Sequence, residues 1–213
     1  MNATSDASWR TGVGALAAQD PGLGAWITRI GPCTLVPRRD DTPFQGLLRA
    51  IVYQQLSGRA AGAIHRRLLD LLQGEVLPAR LATLDDDTLR GAGLSRSKIA
   101  AVRDLTAKTL AGVVPDRATL MALDDEAIVQ RLIQVRGIGR WSAQMLLIFQ
   151  LGRPDVLPTF DLGVQKGCRI VDDLDALPSP KALAQRGECW RPYRSLASWY
   201  LWRVAEGGGA QEV

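Results

Sequence analysis

Histidine and cysteine are nearly absent from this chain, and their scarcity removes several chemistries at once. His65 is the only histidine in 213 residues. That excludes zinc sites built on two imidazoles and leaves any Ser-His-Asp triad resting on one ring with no nucleophile-elbow motif nearby. His65 therefore reads as a surface or packing residue on a helix. Cys33, Cys168 and Cys189 are odd in number and widely spaced, so neither a disulfide framework nor a four-thiolate iron–sulfur cluster can be built within the chain. No apolar run reaches the roughly 18 residues that span a bilayer, and Met1 to Asp20 carry no signal-peptide core. The expectation is a soluble, cytoplasmic protein that is not exported. Strand signals are almost missing, Thr34 to Val36 being the only β-branched stretch. Neither sign of charge dominates: a net +4 is a mild basic excess that favours polyanions without demanding them.

What the chain does have is helical periodicity and enough apolar residues, 46%, to fill a core as one large domain or two small lobes. Residues 1–20 read as a mobile start, 21–206 as the folded part and 207–213, opening on Gly207-Gly208-Gly209, as a frayed tail. Phe44 to Gln55 places Leu47, Leu48, Ile51 and Val52 on one stripe, and Arg59 to Leu72 repeats the pattern with Ile64, Leu68, Leu69 and Leu72. Gln54-Gln55-Leu56-Ser57-Gly58 separates them. Ser95 to Leu110 predicts a third amphipathic helix. Leu84-Asp85-Asp86-Asp87 and Leu123-Asp124-Asp125-Glu126 echo each other as acidic helix starts. Further helices are expected at Arg140 to Gln150, Leu162 to about Val171, near Ala182, and Pro192 to Ala205.

Two local patterns carry chemistry. Gly137-Ile138-Gly139-Arg140-Trp141 joins two helices by a tight turn, spanning about 124–150 in all. Glycines without a Cβ let backbone amides approach a phosphate, and a helix start at Arg140 points its positive end the same way. Downstream, Leu157-Pro158-Thr159-Phe160-Asp161-Leu162-Gly163 presents a lone acid. Locally Asp161 reads as the N-cap of the helix beginning at Leu162, a role compatible with catalysis.

The runs Val135-Arg136-Gly137-Ile138-Gly139-Arg140-Trp141-Ser142-Ala143, Gly152-Arg153-Pro154-Asp155-Val156, Asp161-Leu162-Gly163-Val164 and Trp190-Arg191-Pro192-Tyr193-Arg194-Ser195 resemble the helix-hairpin-helix DNA glycosylases, most closely the 3-methyladenine DNA glycosylase II group. The resemblance extends from about Pro43 to about Trp202. It implies an all-α, two-lobed fold with the active site in the cleft between lobes, in a compact form without the N-terminal β-rich domain of the larger bacterial relative. It also implies Asp161 as the catalytic aspartate, Gly137, Ile138 and Gly139 as the phosphate-holding hairpin, and Arg136 and Arg140 as cations beside the DNA. The carbonyls of Ile133, Val135 and Ile138 would hold Na+ or K+, no cofactor being needed for the chemistry. Trp141 and Trp202, with Met145 and Leu162, would line the damaged-base pocket. The turn Gln55-Leu56-Ser57 would contact the DNA, with Gln55 the wedge filling the space of the everted nucleotide and Leu56 the alternative. Arg136 replaces the family's usual proline, which is expected to loosen the turn, and Met145 and Leu162 replace tyrosines, which makes the pocket less aromatic.

The chemistry agrees with these residue types. Breaking an N-glycosidic bond leaves an oxocarbenium-like sugar that a carboxylate stabilises. Alkylated purines carry a formal positive charge, so an indole face attracts them by about 0.5–2 kcal/mol per contact. Gln55 also reads, from sequence alone, as a residue capping Val52 or Tyr53, and Trp190 reads as core. The expected activity is monofunctional excision of alkylated bases such as 3-methyladenine and 7-methylguanine from double-stranded DNA by a monomer. Two alternatives stand beside it: a non-catalytic helix-hairpin-helix DNA-binding module, and a glycosylase for other damaged bases. Lyase relatives carry a lysine at the position of Trp141, and no residue from Gly137 to Trp141 supplies one.

Overall fold

In a computed structural model, residues 3–38 and 40–207 are described, with side chains from Thr11 onward. The described residues form helices and turns with no strand, as the scarcity of β-branched runs requires. None of these helices is long and apolar enough to cross a membrane. The chain divides into two compact units, one made of Met1–Val36 with Gly152–Val213 and the other of Pro37–Leu151.

The first unit contains α1 (Ala3–Gln19), α2 (Pro21–Ile30), α11 (Leu162–Val171), α12 (Pro180–Arg186) and α13 (Arg194–Ala205). The start expected to be mobile over residues 1–20 is helical from Ala3 to Gln19. Leu16 is buried, the Asp20 amide donates to the Leu16 carbonyl, and the Asp20 side chain caps α2 at the Leu23 amide. The same carboxylate accepts from the Trp190 indole at 2.6 Å and from Arg186 at 2.5 Å, and Trp190 is buried. Burial pushes the Asp20 carboxyl up, but hydrogen bonds from Trp190, the Leu23 amide and Arg186 outweigh it and hold the group below its ordinary value. The expected frayed tail lies outside the described residues from 208 onward.

α13 is apolar around nearly its whole circumference, which makes it the core element of this unit. Its first turn straps down the chain that leads to Asp161: Ser195 Oγ donates to the Arg153 carbonyl and accepts from the Val156 amide, while Arg194 holds the Asp155 carboxylate at 2.7 and 3.0 Å. α11 crosses α13 at Gly167, where a Cβ would stand 2.1 Å from the Leu201 carbonyl oxygen. No side chain fits there, and the contact is backbone against backbone.

The second unit holds α3 (Pro43–Tyr53), α4 (Gly58–Leu71), α5 (Pro78–Thr83), α6 (Asp86–Gly91), α7 (Arg96–Leu110), α8 (Arg117–Met121), α9 (Asp125–Leu132) and α10 (Arg140–Leu146). Ser95, Asp85 and Asp124 each accept from the backbone amide three residues on, which is why α7, α6 and α9 begin where they do. The helix expected from Arg140 to Gln150 is α only to Leu146. Leu147–Leu151 then widen into a turn of π-helix, inserting a residue that rotates Gln150 onto a new face.

Replacing Gly167 with alanine should lower unfolding free energy by about 3 kcal/mol, because the crowding is with a main-chain oxygen that no rotamer relieves. Chemical denaturation measures it, and a loss under about 1 kcal/mol, of ordinary surface size, would contradict this packing.

Candidate functional site

In the first unit, Asp161 caps α11, and its Oδ1 accepts from the Val164 amide at 2.9 Å and from the Trp202 indole N–H at 2.8 Å. Both donors are neutral, and both converge on one oxygen. Gly163 makes this possible, since a Cβ there would stand 2.7 Å from Trp202 Cδ1 and 3.1 Å from Asp161 Oδ1. The approach is fixed by the Asp161 amide on the Pro158 carbonyl and by Gln165 Nε2 on the Thr159 carbonyl, at 2.9 and 2.8 Å. Trp202 is half-buried, not core. Leu162 is 53% exposed and Phe160 is 73% exposed, so apolar side chains flank the carboxylate on both sides in sequence.

In the second unit, the segment Ile133 to Gly139 forms the tight turn between α9 and α10. Gly137 has φ +80°, a conformation that favours glycine. Gly139 has an ordinary φ of −98°, and a Cβ there would meet nothing within 4 Å. Its missing side chain thus leaves an open approach to the backbone from outside. The Ile138 side chain is buried and its amide donates to the Val135 carbonyl at 3.0 Å. This corrects the expectation that the Ile138 amide serves a phosphate: the turn consumes it. The Arg136 amide donates to Asp104 Oδ2 at 2.6 Å, a bond that proline cannot make, so Arg136 ties the turn to α7 instead of loosening it. Burial pushes the Asp104 carboxyl up, and the Arg136 amide with the Lys108 ammonium more than offsets it, leaving the group below its ordinary value. Lys108 also reaches the Gln134 carbonyl.

Arg140, an expected DNA contact, holds Glu126 with two nitrogens at 2.5 and 2.8 Å. Hydrogen bonds from Arg140 and then Gln130 bring the Glu126 carboxyl down to about 2. The pair is exposed, so its contribution to stability is small.

The turn between α3 and α4 is joined to the hairpin. Gln54 Nε2 donates to the Gly137 carbonyl at 2.8 Å, and Lys98 Nζ donates to the carbonyls of Val52 and Gln54. Lys98, not Gln55, caps the end of α3. Gln55 sits beyond the helix with φ +56°, exposed, beside Leu56, which is also exposed. Ser57 Oγ caps α4 at the Ala60 amide. A non-glycine residue held at positive φ costs of order 1–3 kcal/mol, and the surrounding bonds hold Gln55 there.

Of the expected pocket residues, Asp161, Leu162 and Trp202 lie together in the first unit. Trp141 and Met145 lie one turn apart on α10 in the second, Trp141 47% exposed and Met145 half-buried. His65 packs edge-on against Tyr53 with ring centroids 6.0 Å apart, in keeping with a packing role. The cysteines are free thiols, and burial pushes Cys33 up to about 11 and Cys168 up to about 12. Sequence reasoning missed Gln54, Lys98 and Asp104, the residues that fix the two turns. Each bonds a residue more than 30 positions away, and nothing local marks it.

Residues 48–192 match the family model described as HhH-GPD superfamily base excision DNA repair protein, and the chain belongs to that family. Among curated relatives, DNA-3-methyladenine glycosylase 1 of Schizosaccharomyces pombe is 34% identical over 77% of this chain and 73% of its own. Among solved structures, the S. pombe 3-methyladenine DNA glycosylase in complex with abasic DNA superposes with a TM-score of 0.80 at 31% identity, covering 91% of this chain and 95% of that one. The Bacillus halodurans DNA-3-methyladenine glycosidase superposes with a TM-score of 0.84 at 35% identity, covering 91% and 88%. The expected helix-hairpin-helix glycosylase fold is thereby borne out.

Trp202→Phe keeps the aromatic bulk and removes the N–H that Asp161 accepts. It should destabilise the fold by about 2 kcal/mol, as for a hydrogen bond to a charged group. Trp141→Phe, at an exposed position, should change stability by less than about 0.5 kcal/mol. Equal effects in urea denaturation would contradict the bond.

Proposed function

We propose that this chain is a monofunctional DNA glycosylase that excises alkylated purines such as 3-methyladenine and 7-methylguanine from double-stranded DNA, with Asp161 as the catalytic carboxylate. The observation that carries this reading is the Asp161 carboxylate held by two neutral donors at the head of α11. It occurs in a chain similar over 91% of its length to an enzyme solved on abasic DNA.

The chemistry follows from that carboxylate. As the bond between C1′ and the base nitrogen breaks, the pair leaves with the base, and positive charge grows on the sugar beside Asp161. An alkylated purine starts cationic and departs neutral, so no second acid is needed to protonate it. Water supplies a hydroxyl to C1′, its proton passes to solvent, and an abasic site remains. The base must first leave the stack, at a cost of a few kcal/mol. Gln55, exposed at the strained tip of its turn, is the wedge this reading favours. The Trp202 indole beside Asp161, and separately the exposed Trp141 on α10, each offer the kind of aromatic face that attracts a cationic base.

The hairpin holds the phosphate through the amides of Gly137 and Gly139, a reading supported by the open space in front of Gly139. The carbonyls of Ile133, Val135 and Ile138 would hold a structural Na+ or K+. Val135's carbonyl spends one lone pair on the Ile138 amide, and neutral carbonyl oxygens suit such a cation. No step of the reaction runs through it. The protein acts as a monomer in the cytoplasm, associated with the nucleoid.

Incubation with methylated duplex should release free 3-methyladenine, leave the strand uncut, and give no covalent adduct when borohydride is added during turnover. An efficiently trapped adduct would overturn the monofunctional reading, and absence of free base would overturn the glycosylase reading itself.

A further inference from the structure

Gln54 is committed at three points, each to a different part of the second unit. As the C-cap of α3 it turns the backbone out of the helix, with φ −55° and ψ 132°. Its amide donates to the Ala50 carbonyl at 3.1 Å, its carbonyl accepts from Lys98 Nζ on α7 at 2.9 Å, and its side-chain Nε2 donates to the Gly137 carbonyl at 2.8 Å. The last bond spans 83 positions, so local helix capping does not account for it. It falls on a peptide group whose N–H is also tied, because the Ile138 amide donates to the Val135 carbonyl at 3.0 Å. A peptide group is planar, so holding both its oxygen and its N–H fixes the orientation of the hairpin backbone that leads to Gly139. Glycine is required for the approach: Gly137 has φ +80°, and a Cβ there would stand 3.3 Å from Ala101 Cβ on α7. On the other side of Gln54, residues 55–60 are all exposed, and Gln55 stands next to it at φ +56°.

The two tips are thus joined through a single residue. In a duplex the phosphates of one strand follow each other at about 3.4 Å along the axis. A turn that anchors a phosphate and a turn that enters the base stack act on one defined nucleotide only if the distance between them varies by less than that step. Lys98 fixes the α3 end of the link against α7, and the Gln54 side chain fixes the hairpin end. We propose that Gln54 is a positioning residue that sets this distance, so that a phosphate held on the hairpin determines which nucleotide step receives Gln55. Resting on the hairpin and wedge roles given above, this assignment concerns the second unit alone and no step of bond cleavage.

The test uses the full-length protein and two kinds of duplex, one intact and one with a tetrahydrofuran abasic site, which cannot react, each carrying 2-aminopurine opposite that position or one step away. The wild type should prefer the abasic duplex and change the fluorescence most for the probe opposite the site. Gln54→Met, of similar length without the donor, should lower that preference about fivefold, as for one hydrogen bond, and spread the fluorescence change to the neighbouring step. Affinity for intact duplex and its salt dependence should stay as they were. Gln54→Glu, which keeps the reach and lacks the donor at neutral pH, should behave alike. Gln55→Ala should lose the preference, and adding Gln54→Met to it should cost nothing more. Additive losses in the double variant, or equal losses on intact and abasic duplex, overturn the inference. A preference intact in Gln54→Met but lost in Gln55→Ala overturns it and leaves the wedge reading standing, whereas a preference intact in Gln55→Ala overturns both. Neither result touches the glycosylase reading, which release of free base decides.

Discussion

The crossing of α11 over α13 at Gly167 is the constraint on which the unit that carries Asp161 rests. Main chain meets main chain there, with no room for even a methyl group. Because α11 is seated so closely, its N-cap is carried to the flank of α13, where Trp202 meets Asp161. Gly163 repeats the device one turn earlier, clearing the indole's path. The strap from Arg153 to Val156 onto Ser195 and Arg194 fixes the chain before the helix as the crossing fixes the helix itself. In the catalytic role proposed for it, a carboxylate so held would meet developing charge without first having to reorganise.

The other unit solves a different problem, that of presenting two exposed turns rigidly. Neither the hairpin nor the α3–α4 turn has a core of its own. Gln54 joins them directly, Lys98 closes the end of α3, and Asp104 anchors the hairpin to α7. These bonds leave Gln55 exposed and the space in front of Gly139 open on backbones that are tied to their neighbours.

Much of this was legible in the sequence because the signals were local. Helix starts at Asp85, Ser95, Asp124 and Asp161 follow from a side chain bonding an amide three residues away, and stripes such as Leu47, Leu48, Ile51 and Val52 follow from periodicity. The hairpin glycines and Asp161 stood out through their spacing and their family resemblance. What stayed hidden depends on partners distant in the chain: the Arg136 amide meeting Asp104, the indole of Trp202 turned edge-on to a carboxylate, the need for glycine at 167. The helix Ala3–Gln19 was not marked because Ala and Gly in a polar stretch carry little periodicity, and the Asp20 carboxylate beyond it meets the Trp190 indole, a partner 170 positions away. The π-turn has no signature in composition, since Leu147 to Leu151 reads as ordinary amphipathic helix.

The account turns on the charge of a single side chain. Single-turnover release of 3-methyladenine from duplex DNA by Asp161→Asn, measured beside duplex binding and a thermal melt, tests it most directly. Asparagine keeps the shape and an oxygen for the Val164 amide and the Trp202 indole, so fold and binding should survive. Excision should fall by at least about a hundredfold. Near-normal excision by a folded, DNA-binding variant would contradict the account.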